Sequence, residues 1–587
     1  MTFLNEFLLV LRWRPVLALK ALYWFVTKRR VRARNCLRMG AQASPFSYDM
    51  WLSFNERNTQ VLALAPHAIG AWSHRPTFSV ILYSAADTLI DQLQMSIQSV
   101  KQQCYADWEL LLFATDHEPI PSGLGDPRIR VFPNRHSNSA NQLSSGVAAA
   151  SGEYVLPLMA GHRLSPLALF HFGQAIQSDR DAAMLFGDQD MLDRRGKRHS
   201  PWFKPLWNAE MVLAQDYISA VCLLESRTAK ACLPLLDAFA GAAAFGLLLS
   251  ASALGGKVTH VPHVLCHIPD ETLLDDYAAR LFVVSRHVAQ QGAKVLAGPF
   301  GSVVVSWPLP ERLPLVSIIV PTRDKVDLLK ACIDSLLSLT AYSNFEVIIV
   351  DNGSVEKETL DYMAGLESDH RIRILNYEKS YNFSAINNFA VEKANGTFVC
   401  LLNNDTEIIK ADWLCQMMRQ AVRPAVGAAG AKLLYGDGTI QHAGVVVGMG
   451  QAAGHAHRFL RADQPGYFGQ AHIMRYSSAV TAACLVVEKR KFEAVGGFDA
   501  NGLAIAFNDV DLCLKLEKAG WRNVYVPHAI LIHHESISRG NDLAPEHIER
   551  YMAELAVLQE RWGTKDYVDP LHHPKLDRSC EEYVIRL

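Results

Sequence analysis

Leu313-Pro-Leu-Val-Ser-Ile-Ile-Val-Pro-Thr322 is an apolar, β-branched run closed by Pro-Thr, and Arg75-Pro-Thr-Phe-Ser-Val-Ile-Leu-Tyr-Ser84 echoes it earlier in the same chain. The echo continues outward from both stretches. Trp108-Glu-Leu-Leu-Leu112 matches Phe345-Glu-Val-Ile-Ile349, and Ala150-Ser-Gly-Glu-Tyr-Val155 matches Ala394-Asn-Gly-Thr-Phe-Val399. Aligning Gly152 with Gly396 sets a register that places Met159-Ala160-Gly161 opposite Asn403-Asn404-Asp405. Motifs repeated in the same order mark two related domains. In each copy a short strand leads into an amphipathic stretch, Leu328 to Leu339 in the second, and then into another strand, Phe345 to Val350 there. This alternation predicts βαβ units, hence an α/β fold with mostly parallel sheets and helices on both faces. Such sheets bind ligands beyond the carboxyl ends of their strands, so the residues just after each strand carry the information about function.

A chain of 587 residues is too long for one core, and 50% hydrophobic with 20% charged residues is the composition of ordinary globular protein. A net charge of -2 supplies no global basic field, which argues against a nucleic-acid partner. The 11 cysteines show no paired spacing, and Cys332, Cys400, Cys484 and Cys513 lie inside apolar runs. They read as buried thiols of a reducing compartment, not as a disulfide frame or a zinc site.

The expected organisation is a helical segment over 1–74, a first copy over 75–270, a linker over 271–312, a second copy over 313–542, and a helix with tail over 543–587. Phe3 to Val26 is apolar, is broken by Arg12, Arg14 and Lys20, and runs into Lys28, Arg29, Arg30, Arg32 and Arg34. The run is too interrupted to span a bilayer and has no cleavage site of a signal peptide. Two readings stand: peripheral contact with an anionic inner leaflet, or a helix docked on the protein with a solvated basic end. Near the other terminus, Pro545 to Trp562 predicts a helix with Ile548, Met552, Leu555 and Leu558 on its apolar side.

In the second copy, strand Ser317 to Val320 ends in Pro321-Thr322-Arg323, and the next strand ends in Asp351-Asn352-Gly353-Ser354. A carboxylate at a strand tip can accept hydrogen bonds from a pyrimidine NH or a ribose hydroxyl, while Asp-Asn-Gly-Ser is also plain turn chemistry. After strand Thr397 to Leu402 come Asn403, Asn404 and Asp405. A carboxylate there can hold Mg²⁺ or Mn²⁺ bridging two phosphates, or the three residues can form a capped turn before a helix at Ala411. Gly496-Gly-Phe-Asp499 precedes Phe507-Asn-Asp-Val-Asp-Leu-Cys-Leu-Lys515. On a helix starting near Asn508, Asp509 and Asp511 do not share a face and have separate duties. One can take the proton of an acceptor hydroxyl while the other braces the site or caps the helix. Ile530-Leu-Ile-His-His-Glu-Ser536 brings His533 and His534 to a strand end, where a histidine is either structural or a ligand.

Taken in order, Ser-Ile-Ile-Val-Pro-Thr322, Val-Asp-Asn-Gly-Ser354, Leu-Leu-Asn-Asn-Asp-Thr-Glu407, Gly-Gly-Phe-Asp499, Asn-Asp-Val-Asp-Leu-Cys513 and His-His-Glu-Ser536 resemble the family 2 glycosyltransferases of the GT-A fold. The likeness is strongest to the rhamnosyltransferase-type enzymes of O-antigen and capsule assembly, and it covers Leu313 to Asp542. It implies two tandem GT-A domains, Rossmann-like folds of nucleotide-diphospho-sugar transferases. It further implies that Pro321, Thr322, Asp351 and Ser354 line the nucleoside pocket and that Asn403 and Asn404 face the donor. Asn403 and Asp405 would hold the DxD places, with Asn403 departing from the acidic pattern and leaving Asp405 as the metal carboxylate. His533, or else His534, would complete a Mg²⁺ or Mn²⁺ diphosphate site. Asp499 and Asp511 would lie near the acceptor, and Asp509 would be the base of an inverting displacement. The implied partners are a nucleotide-sugar donor, dTDP-rhamnose-like or a UDP-sugar, and a glycan or lipid-linked glycan acceptor in the cytoplasm.

The first copy carries Met159 and Gly161 at the metal places, and Ala114 where the second has Asp351. It reads as a degenerate domain for acceptor-chain binding or support. The competing reading gives it an active site built on Asp188 and Asp190. The rival for the whole chain is a non-catalytic carbohydrate-binding or scaffold protein of a polysaccharide assembly complex.

Overall fold

The computed structural model describes the chain except residues 1–2, 28–32, 34–35, 38–39, 42–43, 57, 85–88, 115–123, 134–137, 237, 240, 271–276 and 535–546. The basic residues Lys28, Arg29, Arg30, Arg32 and Arg34, the side chain of Ala114, and Glu535, Ser536, Asp542 and Pro545 lie outside the described residues.

Two mixed sheets are laid down with one topology. In the first, the strands run Ile129–Pro133, Trp108–Ala114, Phe78–Tyr83, Tyr154–Met159, Cys222–Glu225, Ala182–Leu192, Lys257–Pro269, Arg163–Leu164. In the second they run Ile372–Asn376, Phe345–Asp351, Val316–Thr322, Phe398–Leu402, Cys484–Glu488, Val426–Leu434, Arg522–His533, Thr406–Ile408. Each sheet opens with three parallel pairs, continues with two antiparallel pairs, returns to a parallel pair and closes on an antiparallel one. The α/β class and the duplication are therefore as expected, with the βαβ strands gathered at one end of each sheet.

Strand Val316–Thr322 shows why this sequence suits its place. Ile318 and Val320 face one core, with helix Val326–Leu339 and helix Trp413–Ala421, while Ile319 faces the other, with helices Phe383–Lys393 and Asn508–Lys518. A strand covered on both faces has no solvated side to reserve for polar residues, hence the unbroken apolar run.

The two copies share fine structure as well. Ser79 donates to Glu109 at 2.6 Å and accepts from the Gly152 N–H at 2.8 Å; Ser317 donates to Glu346 at 2.6 Å and accepts from the Gly396 N–H at 2.8 Å. Burial works against ionisation of Glu109 and Glu346, but these hydrogen bonds, with those from Ser151 or Asn395 and from Arg130 or Arg373, outweigh it and hold both carboxyls below the usual glutamate range. Both glycines are required by close approach. A Cβ on Gly152 would sit 2.8 Å from the Ser79 nitrogen, and one on Gly396 would sit 2.6 Å from that of Ser317.

Residues 271–312 do more than connect. Helix Tyr277–Val288 and the hairpin Lys294–Ala297 with Val303–Ser306 put Val283, Val284, Val303 and Val305 into the core of the first domain. Helix Ile548–Trp562 packs Leu558, Leu555 and Trp562 on the second domain, whereas Met552 is 52% exposed and Glu554 is buried in its place. Glu554 accepts from the Ile505 and Ala506 N–H groups at 3.1 and 2.7 Å, which an apolar reading of this face missed.

Beyond that helix the tail returns to the first domain. Asp569 accepts from the Val447 N–H of the second domain at 2.7 Å, the Pro570 carbonyl accepts from the Leu206 N–H at 2.9 Å, and His573 meets Asp188 at 3.0 Å. Trp202 of the first domain and Phe468 of the second stack at 4.4 Å beside this strap. All eleven cysteines are free, and no helix among the described residues is long and apolar enough to cross a membrane.

Candidate functional site

A cavity of about 440 Å³ opens at the carboxyl ends of the parallel strands of the second sheet. That volume falls within the range of small-molecule sites. Of the residues singled out from sequence, Pro321, Thr322, Asn403, Asn404, Asp405, Asp509 and His533 line it. Strand ends position the first five. Asn404 Nδ2 donates to Thr322 Oγ1 at 3.0 Å, tying two adjacent strand ends together.

Asp351 and Ser354 stand one strand further out. Asp351 Oδ1 accepts from the Ser354 N–H at 3.0 Å and its hydroxyl at 2.6 Å, an Asx turn that occupies one carboxylate oxygen. The neighbouring Asn352 lines the cavity instead, its Nδ2 donating to the carbonyls of Tyr377 and Lys379 at 2.9 and 2.7 Å.

Asp405 and His533 form the polar centre. Both are nearly buried, and Asp405 Oδ1 lies 3.0 Å from His533 Nε2. His533 Nδ1 meets Gln441 Oε1 at 2.8 Å, and because an amide oxygen only accepts, the imidazole proton lies on Nδ1. In the neutral imidazole Nε2 then keeps a lone pair, and Asn403 Nδ2 lies 3.2 Å from it. A carboxylate oxygen and an imidazole lone pair facing each other at this distance suit a cation as their common partner. His534 points elsewhere, with Nε2 at 3.3 Å from Glu407, outside the cavity.

Asp509 sits in the first turn of helix Asn508–Lys518, entered through Phe507 in the left-handed conformation (φ 60°). Its Oδ2 accepts from the Ala482 N–H at 3.1 Å, which aims the carboxylate along the cavity wall. Asp511 faces away, as the helical spacing predicts. It is fully buried and accepts from Arg561 Nη1 at 2.8 Å and Trp562 Nε1 at 2.9 Å, with Lys515 Nζ at 3.0 Å. Arg561 also donates to Asp499 at 2.6 Å. Asp499 and Asp511 thus form an ion-pair knot that fastens the C-terminal helix, and neither lines the cavity. The bracing duty foreseen for one aspartate falls to Asp511.

Several cavity residues carried no signal in the sequence. Gln441 and His455 come from the segment between strands Val426–Leu434 and Cys484–Glu488, and Tyr551 comes from the C-terminal helix. His442 Nε2 accepts from the Gly444 N–H at 3.3 Å, so its proton lies on Nδ1, which meets His455 Nδ1 at 2.8 Å. Burial pushes His442 well below the usual histidine range.

The equivalent place in the first domain is empty of this chemistry. Leu164, three residues past Gly161, pairs with Cys266, just as Ile408, three past Asp405, pairs with Leu531. Two residues further along the partner strands stand Ile268 and His533, so Gly161 and Ile268 replace Asp405 and His533. Gly161 has φ 97°, a conformation that disfavours any other residue.

Asp188 and Asp190 are fully buried and engaged elsewhere. Asp190 takes Tyr48, Arg198 and His267, and Asp188 takes the Lys204 N–H at 2.9 Å, His260 Nε2 at 2.8 Å and His573 Nε2 at 3.0 Å. Asp188, His260 and His573 bring three ligand-type atoms together. The Lys575 N–H donates to His573 Nδ1 at 3.0 Å, however, so His573 turns a proton toward Asp188. Asp188 is already met by His260 and the Lys204 N–H in the interior, whereas Asp405 and His533 open on the cavity.

A doubly covered α/β domain with an acidic and histidine-backed cavity beyond its parallel strands belongs to the class that binds ligands at strand ends. Residues 317–448 match the model of glycosyl transferase family 2, and the second domain belongs to that family. The chain is 37% identical over 537 residues to the uncharacterized protein y4gI of Sinorhizobium fredii (strain NBRC 101917 / NGR234), covering 87% of this chain and 58% of that protein. It is 34% identical over 564 residues to the O-antigen biosynthesis protein RfbC of Myxococcus xanthus, covering 92% of this chain and 43% of that protein. The chain therefore spans about half the length of these relatives. Among solved structures, a mannosyltransferase of Pyrobaculum calidifontis in complex with GDP-Man and Mn²⁺ aligns with 46% of this chain and 69% of its own, at 17% identity and TM-score 0.33.

Proposed function

We propose that the second domain is an inverting hexosyltransferase that moves a sugar from a nucleotide-diphosphate donor, dTDP-rhamnose-like or a UDP-sugar, to a hydroxyl of a growing cell-surface glycan such as O-antigen or capsule. It acts in the cytoplasm at the face of the inner membrane. The observation that carries this reading is the Asp405–His533 pair in the same cavity as Asp509.

The residues fit Mg²⁺ or Mn²⁺: Asp405 offers a carboxylate oxygen, His533 an imidazole nitrogen, and donor phosphates with waters fill the remaining places. The imidazole tips the balance toward Mn²⁺. When bound, the cation supplies positive charge against which a nucleoside diphosphate departs. Asp509 takes the proton of the acceptor hydroxyl as its oxygen bonds to the anomeric carbon. The bond from that carbon to the diphosphate oxygen breaks on the opposite face, and its electron pair leaves with the diphosphate. Thr322, Asn352 and Asn404 hold the strand-end wall on which the nucleoside rests, and Asp351 keeps one carboxylate oxygen for it. The first domain supports the second or binds the acceptor chain.

The decisive assay is nucleoside diphosphate release by the full chain with dTDP-, UDP- and GDP-sugars and Mn²⁺, preceded by a thermal-shift screen for binding. Donor-dependent release stimulated by acceptor glycan supports transfer. Donor binding without release under every acceptor condition would favour the carbohydrate-binding scaffold.

A further inference from the structure

The N-terminal helices Phe3–Trp13 and Pro15–Val26 form a hairpin that meets the rest of the protein along one face, where Phe7, Leu9, Leu17 and Trp24 flank a small buried cluster and Arg12 lies over Phe46. Val10, Ala18 and Ala21 are buried, with Cys36, Leu37 and Ala41 and in contact with Leu587. The outer face of the second helix is left to solvent and is almost wholly apolar. Val16 is 78% exposed, Leu19 58%, Tyr23 63% and Val26 72%, with Leu22 and Phe25 also exposed and Lys20 the single charge. Leu8, Leu11 and Trp13 extend the patch onto the first helix. Isolated apolar side chains on a surface need no explanation, but a contiguous patch marks an interaction site.

Length and charge decide the partner. A helix of 12 residues reaches about 18 Å, well short of the roughly 30 Å hydrocarbon core, so it cannot cross a bilayer but can lie in its surface. From Phe7 to Tyr48 the sequence holds nine Lys or Arg and no Asp or Glu, in a chain whose net charge is -2. Apolar side chains interleaved with cations, and unopposed by any acid, complement an anionic leaflet in both of its properties. A protein partner for the patch would need acidic residues grouped around an apolar groove.

We propose that this hairpin is a docking surface for an anionic lipid bilayer, with the face carrying Val16, Leu19, Leu22, Tyr23 and Val26 set into the headgroup region and Arg12, Arg14 and Lys20 against lipid phosphates. The proposal deepens the placement at the membrane face and rests on it. It is tested by co-sedimentation of the full chain with phosphatidylcholine vesicles made with and without phosphatidylglycerol. Binding to the anionic vesicles alone, weakening as salt rises, is the expected result.

The double substitution Leu19→Glu with Leu22→Glu should lower partitioning by at least about tenfold, because it removes apolar insertion and adds repulsion. Arg12→Glu with Lys20→Glu should lower it through charge alone, and both pairs should leave the melting temperature unchanged because all four side chains face solvent. Equal binding to both vesicle types, no binding to either, or a dimer that the Leu19→Glu and Leu22→Glu pair dissolves would overturn the proposal. Sugar transfer to a soluble acceptor is unaffected by this outcome, so failure of docking is distinguishable from failure of the transferase reading.

Discussion

The two domains agree where structure is at stake and part where chemistry is. Ser79, Glu109 and Gly152 repeat as Ser317, Glu346 and Gly396 with the same bond lengths, and the eight strands of each main path follow one order. At the strand ends, Asp405 and His533 face Gly161 and Ile268 in the register of the sheets. Histidines near carboxylates occur in both halves, and what separates them is the role of Nδ1. At His533 it donates to Gln441, and at His573 it accepts from the Lys575 backbone. A scaffold can thus be kept intact while its reactive end is exchanged for a structural lock.

The largest effect expected from this contrast is on Asp509. Asp509→Asn should lower turnover by roughly 10²- to 10⁴-fold while nucleotide-sugar binding persists, whereas Met159→Ala at the strand end of the first domain should stay within about twofold. Turnover at the wild-type rate in Asp509→Asn would remove the base. Next in size is Gln441→Leu, which frees the His533 tautomer and should weaken Mn²⁺ binding by about 10- to 100-fold in a direct titration. Gln441→Glu, which keeps an acceptor oxygen toward Nδ1, should restore most of that affinity; a Gln441→Leu protein that binds Mn²⁺ normally would show that the tautomer is immaterial.

Smaller and equal effects should follow from Gly152→Ala and Gly396→Ala, each losing about 1–3 kcal/mol because the added methyl meets strand backbone that cannot move aside. Thermal unfolding that separates the two variants widely would break the equivalence of the copies. Smallest of all is the graft Gly161→Asp with Ile268→His, for which no Mn²⁺ binding to the first domain is expected. The left-handed backbone at Gly161 resists aspartate, and Pro201, which has no side-chain acceptor, holds the place of Gln441 in the sheet register. Stoichiometric binding by a second site would show that two residues alone divide the domains.

Much of this was legible in the sequence because the deciding signals are local. A strand and the residue that follows it are contiguous, so Thr322, Asn404 and Asp405 could be named, and helical spacing alone separated Asp509 from Asp511. What stayed hidden depends on partners far along the chain. Gln441 reaches His533 across ninety-two positions, and Arg561 neutralises Asp511 from fifty positions away. Glu554 lies on a face that periodicity assigned to apolar residues, because its carboxylate answers two backbone N–H groups of a loop near the cavity. The segment 271–312 looked like a connection because its Gly and Pro content obscured a hairpin that the first domain completes.

The returning tail has a consequence for biosynthesis. Domains usually fold as they leave the ribosome, the N-terminal one first. Here Asp188 lies at the centre of the first domain, and one of the groups that meets its charge, His573, is translated only after the whole second domain. The earlier domain can form its sheet alone but waits for the segment after Trp562 to close its interior. Translation order and completion order are thereby reversed, and a nascent chain arrested just after Trp562 should carry a first domain more open to protease than the finished protein.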